Sequence, residues 1–271
     1  MSRTPSHLFV TGAASGIGRH LVGAFARRGV RVDAADLTMD RLTLAAREDG
    51  WPDTVALHAF DVRDPRGWDA AFAAAERDPH HPVDALVNCA AMLTPDWFGA
   101  VTDLDIDRHF DVNVKGVAYG MRAALNLMQP RGRGHIVNFG SLASLSPVPG
   151  LALYSASKFA VRGLSLSVAL EVAKDGIAVT VVMPDAVETP MLDLQKSRPE
   201  AALTFSGASP LRPAELVAAL DEVFATRPLE LALPANRGRL ARLVSAFPEL
   251  GKRIAPLIRK VGLRNQARAQ R

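Results

Sequence analysis

Short apolar runs rich in β-branched residues alternate with longer amphipathic segments along most of the chain. Runs of this kind predict buried strands, and the longer segments between them predict helices. The predicted strands are HLFVTG, VRVDAAD, TVALHAFDV, DALVNCA, HIVNFGS, IAVTVVMP and LELAL. Because strands this apolar need cover on both faces, the alternation predicts a doubly wound, Rossmann-like parallel sheet in a three-layer α/β/α sandwich.

The predicted helices lie between those strands, as βαβ units require. They cover residues 15–29, a segment from about 38, and residues 65–76, 107–128, 153–173 and 214–225. No linker rich in Pro, Gly or Ser divides this part of the chain, so residues 6–233 are predicted to form one domain. Residues 234–271 are predicted to form a C-terminal extension to it.

Charge divides the chain into a mildly acidic body and a strongly basic end. Residues 231–271 contain ten Lys or Arg residues and one acid, a formal charge of +9. The preceding 230 residues contain 22 basic and 27 acidic side chains, a formal charge of −5. The body therefore gives no reason to predict a nucleic-acid partner, and none is expected.

The extension has the pattern of two short amphipathic helices with cationic faces, interrupted by prolines. Its apolar positions recur at helical spacing in two groups. They are Leu240, Leu243, Val244 and Phe247, and then Ile254, Leu257, Ile258 and Val261. Such helices can dock on an anionic membrane surface, or pack on their own domain or a neighbouring subunit. We favour packing, because Phe247 is the only aromatic residue of the extension.

Several features are typical of a cytoplasmic protein. The single cysteine, Cys89, cannot form an internal disulfide framework. The apolar run before Thr11 is only Leu8–Val10, too short for the core of a signal peptide. No segment approaches the ~18 consecutive apolar residues of a membrane span. We expect a cytoplasmic location, with the extension as a possible peripheral membrane contact.

The first predicted strand runs into a glycine-rich loop, TGAASGIG at residues 11–18. Its glycines let the backbone approach a pyrophosphate, and the helix that follows offers free N–H donors. The strand before it and the βαβ unit after it favour a dinucleotide site over a tight turn without a ligand. The predicted contacts are Gly12, Ser15, Gly16, Ile17 and Gly18.

Asp36 closes the second predicted strand, 18 residues after Gly18. A carboxylate there can accept hydrogen bonds from both hydroxyls of an adenosine ribose, and it repels a 2′-phosphate. Neither Ser15 nor Leu37, at the neighbouring positions used for phosphate recognition, is basic, so the sequence favours NAD over NADP. The plainer alternative is that Asp36 caps the helix beginning near Thr38.

Two further residues complete the predicted adenosine site. Asp61 and Val62 follow the third strand, where they would meet the edge and ring of the adenine. By themselves they would indicate only an ordinary turn, so this assignment depends on the glycine-rich loop. We predict no metal ion in the chain.

The predicted helix at residues 153–173 carries Tyr154 and Lys158 near its start. Residues four apart share a helix face, and an ammonium beside a phenol lowers a pKa that starts near ~10. A lowered pKa suits an acid/base near neutral pH. Ser141, thirteen residues before Tyr154, can hydrogen-bond the same substrate oxygen. Asn113 could hold a water that links Lys158 to solvent.

In order and spacing, these residues resemble the motif set of the short-chain dehydrogenase/reductase family, over about residues 6–233. The matching residues are Thr11, Gly12, Gly16, Ile17, Gly18, Asn88, Asn113, Ser141, Tyr154 and Lys158. The resemblance implies that Tyr154 is the general acid/base and that Lys158 lowers its pKa and binds the nicotinamide ribose. It also implies that Ser141 polarises the carbonyl or alcohol and that Asn113 holds a relay water.

The chain departs from the family pattern after the fourth strand. The family motif Asn-Asn-Ala-Gly is replaced by NCAA at residues 88–91. Asn88 and Ala90 keep their predicted cofactor contacts, and Cys89 is interpreted as a small buried filler.

A second departure follows the sixth strand, where Asp185 replaces the family glycine. Pro184, Val187 and Thr189 still match. We therefore expect the Val187 backbone and the Thr189 hydroxyl to hold the nicotinamide carboxamide. The charge of Asp185 is either solvated or recognises a substrate group, and the sequence leaves both open.

The predicted substrate pocket is mostly apolar, and residues 191–210 are interpreted as a mobile lid over it. Its apolar residues are Met92, Leu93, Leu142, Val148, Leu151, Met191 and Leu192. We expect a lipophilic secondary alcohol or ketone as substrate, although residues of this kind could equally be core. The predicted activity is hydride transfer with NAD(H), and the alternative is a non-catalytic dinucleotide sensor. The resemblance also implies a homodimer or homotetramer formed through helices 107–128 and 153–173.

Overall fold

All seven predicted strands occur in the computed structural model, which describes residues 4–207 and 209–270. They are β1 (His7–Thr11), β2 (Arg31–Asp36), β3 (Val55–Ala59), β4 (Ala85–Asn88), β5 (Gly134–Phe139), β6 (Ile177–Pro184) and β7 (Glu230–Leu233). Every neighbouring pair is parallel, and the strand order is β3-β2-β1-β4-β5-β6-β7. The prediction of a doubly wound parallel sheet is confirmed.

Ten α-helices connect and cover the strands in the part of the chain that the structure describes. They are α1 (Gly16–Ala26), α2 (Met39–Asp49), α3 (Pro65–Ala75), α4 (Asp103–Phe110), α5 (Gly116–Met128), α6 (Ala152–Glu171), α7 (Pro190–Lys196), α8 (Pro213–Thr226), α9 (Ala235–Ala246) and α10 (Pro248–Ala269). α1 and α8 pack on one face of the sheet, and α3, α5 and α6 pack on the other. This arrangement is the predicted three-layer sandwich.

The alternation of side chains along β1 builds both halves of the core. Leu8 faces the layer of α1 and α8, where Phe25 and Phe224 meet edge to face with ring centroids 5.8 Å apart. Phe9 faces the opposite layer and stacks on Phe72 at 4.7 Å. Each fully buried side chain of this size stabilises the fold by about 1.5–3 kcal/mol. The core therefore holds the strand ends that carry the candidate site.

A largely buried polar cluster formed by side chains of β1, β2 and β3 was not predicted. Asp33 of β2 accepts a hydrogen bond from His58 Nε2 at 2.5 Å and another from His7. His7 Nδ1 also donates to the carbonyl oxygen of His81 at 2.7 Å. Burial acts to raise the pKa of Asp33, but the hydrogen bonds from His58 and His7 outweigh it and lower that pKa. The cluster thereby links β1, β2 and β3.

The helix predicted for residues 107–128 starts earlier and is interrupted. α4 begins at Asp103 because Thr102 Oγ1 accepts a hydrogen bond from the Asp105 N–H at 3.2 Å, in a capping box. A π-helical turn at Asp111–Lys115 then separates α4 from α5. Turns of this kind are frequent at functional sites, and this one contains Asn113.

The predicted lid and extension are both helical. The lid segment consists mainly of α7 and a 3₁₀ helix at Pro199–Ser206, and its mobility stays a prediction. The extension forms the two expected helices, but α10 continues through Pro256. Gln266 of α10 donates to the carbonyl oxygens of Gln195 and Arg198 at 2.8 and 2.7 Å, so the extension packs on its own domain. No helix within residues 4–207 and 209–270 is long and apolar enough to cross a membrane.

Candidate active site

The glycine-rich loop lies where the strand order reverses, between the ends of β1 and β4. Thr11 Oγ1 accepts hydrogen bonds from the N–H groups of Cys89 and Ala90 at 3.1 and 3.2 Å, which ties the two strand ends together. Gly12 has a φ of +69°, and a Cβ there would lie 2.8 Å from the Ala90 backbone nitrogen. The turn therefore requires glycine, and it leaves an open cradle at the position where doubly wound sheets bind ligands.

The rest of the loop forms the start of α1. Ser15 is the N-cap residue, its side chain makes no capping hydrogen bond, and Gly16 follows with a φ of +53°. The N–H groups of the first helical turn are therefore available to an anion. Gly18, predicted as a cofactor contact, does not line the cleft. A Cβ there would lie 2.3 Å from the Gly12 carbonyl oxygen, so this glycine allows close packing of the helix on the loop.

Asp36 is held at the end of β2 by two backbone donors. Its Oδ2 accepts a hydrogen bond from the Ala14 N–H at 2.9 Å, and its Oδ1 accepts one from the Leu37 N–H at 2.8 Å. Thr38, and not Asp36, is the N-cap residue of α2, so the alternative of a helix cap is excluded. The carboxylate is fixed at the rim of the cleft, where a ribose hydroxyl could reach it.

Two arginines at the same end of the cleft were missed by the sequence analysis. Arg41 Nη1 lies 3.6 Å from Asp36 Oδ1, and Arg63 pairs with Asp61 at 2.6 Å. The hydrogen bond from Arg63 lowers the pKa of Asp61 against the opposing effect of burial. Arg41 comes from the first turn of α2, beyond the positions expected to read a phosphate. Its charge weakens the sequence argument against a 2′-phosphate.

The predicted catalytic residues meet on one wall of the cleft, where α6 passes the end of β5. Lys158 Nζ lies 5.5 Å from the centroid of the Tyr154 ring and donates a hydrogen bond to the Phe139 carbonyl oxygen at 2.8 Å. Ser141 shares a hydrogen bond with Tyr154 and accepts another from the Ala143 N–H at 3.1 Å. All three functional groups therefore border the same space.

The acidity of Tyr154 differs from the prediction. Burial raises the pKa of its hydroxyl to about 12, and the hydrogen bond with Ser141 offsets this only in part. Burial also lowers the pKa of Lys158 to about 8, because the ammonium loses its hydration. Desolvation of the phenolate therefore outweighs any lowering of the Tyr154 pKa by Lys158 in this geometry.

Asn113 and Asn88 brace the site without lining it. Asn113 Nδ2 donates to the Met92 carbonyl oxygen and to Ser157 Oγ at 3.0 Å, and its Oδ1 accepts a hydrogen bond from the Met92 N–H at 2.8 Å. Asn88 Nδ2 donates to Asn138 Oδ1 at 2.8 Å, across β4 and β5. These contacts engage the Asn113 amide, which was expected to hold a relay water. Asn88 Oδ1, by contrast, is buried without a hydrogen-bond partner among the described residues.

Asp185 lies in the loop after β6, where it contacts the C-terminal extension. Its carboxylate pairs with the Arg237 guanidinium of α9, and its N–H donates to the Leu233 carbonyl oxygen at 2.7 Å. Burial raises the pKa of Asp185, and the charge of Arg237 acts against that rise. Thr189 Oγ1 donates to the Val187 carbonyl oxygen at 3.1 Å. Asp185 is therefore neutralised by the extension, an outcome that neither sequence alternative included.

These groups line one continuous cleft of about 1370 Å³. A pocket for one drug-sized ligand typically has about 300–1,000 Å³, so this cleft has room for a dinucleotide and a second molecule. The predicted residues that line it are Gly12, Ser15, Gly16, Ile17, Asp36, Leu37, Asp61, Val62, Ala90, Ser141, Tyr154, Lys158, Pro184, Val187 and Thr189. Together with the cradle at Gly12, they fit a nicotinamide dinucleotide.

Comparison with known proteins identifies the family. The sequence profile of the short chain dehydrogenase family matches residues 6–200. The chain is also 38% identical over 196 residues to 2-(R)-hydroxypropyl-CoM dehydrogenase of Xanthobacter autotrophicus. The aligned region covers 70% of this chain and 78% of that protein. The chain therefore belongs to the short-chain dehydrogenase/reductase family of oxidoreductases.

Two solved structures with 27% sequence identity support the same assignment. The 3-ketoacyl-(acyl-carrier-protein) reductase from Brucella melitensis complexed with NADH aligns with a TM-score of 0.75, over 86% of this chain and 98% of that chain. A variant of actinorhodin polyketide ketoreductase with NADPH aligns with a TM-score of 0.77, over 87% and 98%. These neighbours support a nicotinamide dinucleotide as the cofactor, and they do not separate NAD from NADP.

Proposed function

We propose that this protein transfers a hydride between NAD(H) and the carbinol or carbonyl carbon of a secondary alcohol or ketone. The main support is the meeting of Ser141, Tyr154 and Lys158 on the wall of the cleft that also contains the glycine-rich loop. When bound, the dinucleotide supplies the hydride-transfer chemistry. The chain's own residues bind and orient the substrate and move its proton.

Tyr154 moves the proton of the substrate oxygen in this proposal, and Ser141 orients that oxygen. With a pKa of about 12, the Tyr154 hydroxyl is protonated at neutral pH, which is the form that donates a proton to a ketone oxygen. In the direction of alcohol oxidation the same hydroxyl has to lose its proton first. We therefore expect the rate of oxidation to rise with pH above neutrality.

A turnover screen tests the proposed activity. The protein is mixed with secondary alcohols and NAD or NADP, or with ketones and NADH or NADPH. The absorbance of the reduced nicotinamide then measures the rate of each reaction. Turnover of at least one class supports the proposal. Binding of NADH without turnover of any compound would instead favour the dinucleotide sensor.

We propose that NAD is preferred because Asp36 presents a fixed carboxylate where a 2′-phosphate would lie. Replacing Asp36 with Ala should shift the ratio of the NADPH and NADH dissociation constants toward NADPH by about 10- to 100-fold, or ~1.4–2.8 kcal/mol. Removing the guanidinium in Arg41→Ala should shift the ratio the other way. Fluorescence titrations of both nucleotides measure these shifts.

Arg47→Ala, on the same helix, serves as the control for the cofactor experiment because Arg47 does not line the cleft. The ratio of the NADPH and NADH dissociation constants in Arg47→Ala should match that of the parent protein. Tighter binding of NADPH than NADH by the parent would refute the preference for NAD.

The substrate is proposed to be lipophilic. All seven apolar residues expected in the pocket line the cleft, namely Met92, Leu93, Leu142, Val148, Leu151, Met191 and Leu192. Tyr154 itself packs against the buried apolar group of Leu93, Leu151 and Ala201. Apolar walls with a few convergent polar groups are typical of sites for apolar small molecules.

We further propose a cytoplasmic homodimer or homotetramer. α4 and α6 leave large apolar side chains exposed, which are Leu104 at 55%, Phe110 at 36%, Phe159 at 36% and Leu170 at 72%. Contact between copies through residues 107–128 and 153–173, which the family resemblance implies, would cover Phe110, Phe159 and Leu170.

The outer side of α10 has features that support the possible contact with an anionic membrane. Leu250, Leu257 and Val261 are 43%, 64% and 46% exposed, and their spacing of seven and four residues aligns them along the helix. A basic row with the same spacing runs beside them, formed by Arg253, Lys260 and Arg264. An apolar row beside a cationic row matches the chemistry of an anionic lipid surface.

Replacing Leu257 and Val261 together with Gln tests this contact, because it removes exposed apolar groups. Sedimentation with phosphatidylcholine vesicles containing phosphatidylglycerol should fall several-fold, and salt should weaken it in the parent. Leu44→Gln, at a 56% exposed site on α2, is the control and should behave as the parent does. Sedimentation that is unchanged by the double substitution would refute the contact.

A further inference from the structure

The cleft does not end at the reacting groups but continues along the C-terminal extension. Side chains of α9 and α10 form part of its lining. The apolar ones are Leu240, Ala241, Val244, Ile254, Ala255 and Ile258. Ser245 and Lys252 are polar members of the same wall. A second wall of the cleft is therefore largely apolar, and it lies outside the residues that match the family profile.

One face of α10 provides its part of this wall. Ile254 and Ile258 are one helical turn apart, and Ala255 lies between them on the same side. All three are half-buried, whereas Leu257 is 64% exposed and does not line the cleft. One side of α10 therefore lines the cleft and the other faces solvent. Ile258 and Leu257 are neighbouring positions on these two sides, so they can be compared in an experiment.

The wall is anchored at both of its ends. At one end, Arg237 of α9 pairs with Asp185 beside the cofactor side of the cleft. At the other end, α10 crosses the 3₁₀ helix so closely that a Cβ at Gly262 would lie 2.0 Å from the Ala202 carbonyl oxygen. Gln266 adds two hydrogen bonds to the lid segment there. These contacts hold the extension against the pocket and against the lid segment.

Other parts of the cleft lining are also apolar. Val148, Leu151 and Met191 belong to the apolar group that packs with Tyr154, and they line the same cleft as Leu203 and the side chains of α10. A flexible chain lying between two apolar walls would be removed from water along its length, and each buried methylene would add to its binding.

We propose that the preferred substrate is an elongated secondary alcohol or ketone whose alkyl chain extends from Tyr154 along α9 and α10. This inference rests on the proposed alcohol or ketone chemistry and adds the shape of the substrate to it. The extension is then a specificity element that the family domain alone does not supply.

A chain-length series tests this proposal. With the full-length protein, kcat/KM should rise about threefold to fourfold for each methylene from 2-butanol toward 2-decanol. Ile258→Trp fills the space along α10, so it should lower kcat/KM for 2-decanol at least tenfold while changing the value for 2-butanol less than twofold. Ala255→Leu adds a smaller side chain to the same wall, so it should also lower kcat/KM for 2-decanol, but by less than Ile258→Trp.

Leu257→Trp is the matched control, because it places the same side chain on the solvent side of α10. It should retain the chain-length dependence of the parent protein. A flat chain-length profile in the parent, or an equal loss in Leu257→Trp and Ile258→Trp, would overturn the proposal.

A binding measurement separates this proposal from the proposed activity. Calorimetric titration of the NAD⁺-saturated protein with 2-decanone and 2-butanone forms complexes that cannot react, because both partners are oxidised. Tighter binding of 2-decanone that is lost in Ile258→Trp supports the wall even if no alcohol turns over. Equal affinity for the two ketones refutes it whether or not the protein is an active dehydrogenase.

Discussion

Replacing Tyr154 with Phe is expected to lower kcat by about 10²–10⁴-fold, the range that general acid–base catalysis contributes. The substitution removes the hydroxyl that shares a hydrogen bond with Ser141 and leaves the ring beside Lys158. In the proposed site the glycine-rich loop and Asp36 contact the dinucleotide, so we expect the NADH dissociation constant to change less than about twofold. Steady-state kinetics and fluorescence titration with NADH measure the two quantities.

Tyr119→Phe is the natural control, because the chain has only two tyrosines and Tyr119 lies on α5, outside the cleft. Its kcat should equal that of the parent. If Tyr154→Phe keeps more than a tenth of the parent activity, the proton is moved by another group. A loss of NADH affinity as large as the loss of kcat would point to damage of the site and not to catalysis.

Replacing Lys158 with Met is expected to abolish most turnover and also to change how stability depends on pH. The amine is buried and its pKa is lowered from 10.5 to about 8, so the unfolded chain binds more protons than the folded one between these values. The free energy of unfolding of the parent should therefore rise by up to about 3 kcal/mol, relative to the variant, as the pH rises from 8 to 10.5.

Thermal or urea unfolding of the two proteins across this pH range measures the effect. Lys158→Met also removes the donor to the Phe139 carbonyl oxygen, which adds a cost that does not vary with pH. The change in the free energy of unfolding with pH is therefore the quantity that reports on the buried amine. In Lys174→Met, which changes an exposed lysine, the free energy of unfolding should vary with pH as it does in the parent. A difference between Lys158→Met and the parent that stays constant from pH 8 to 10.5 would show that the amine is hydrated in the folded protein.

The sheet could be predicted because its signal is local. Each strand is an apolar run bounded by turn residues, and the seven runs became seven strands in one parallel sheet. The sequence also predicted that Tyr154, Lys158 and Ser141 would meet. Two of these share a helix, and the third lies two residues after the end of β5, so the βαβ pattern brings them close together.

The parts that could not be predicted depend on residues far apart in the chain or on the depth of burial. Arg237 meets Asp185 only because α9 returns across the end of β6, and no local pattern links these positions. The pKa of Tyr154 follows the balance of desolvation and charge, which spacing along a helix does not reveal. Asn113 matches the motif, yet its amide is engaged by Met92 and Ser157.

The ion pair between Asp185 and Arg237 makes the end of this chain difficult to exchange. A hybrid enzyme that joined this catalytic body to the terminus of a relative would carry a partly buried acid without its counter-ion. Loss of Arg237 destabilises such a hybrid, because Asp185 stays partly desolvated and has lost its compensating charge. Grafting experiments on this fold therefore have to transfer Asp185 and α9 together or introduce glycine at position 185.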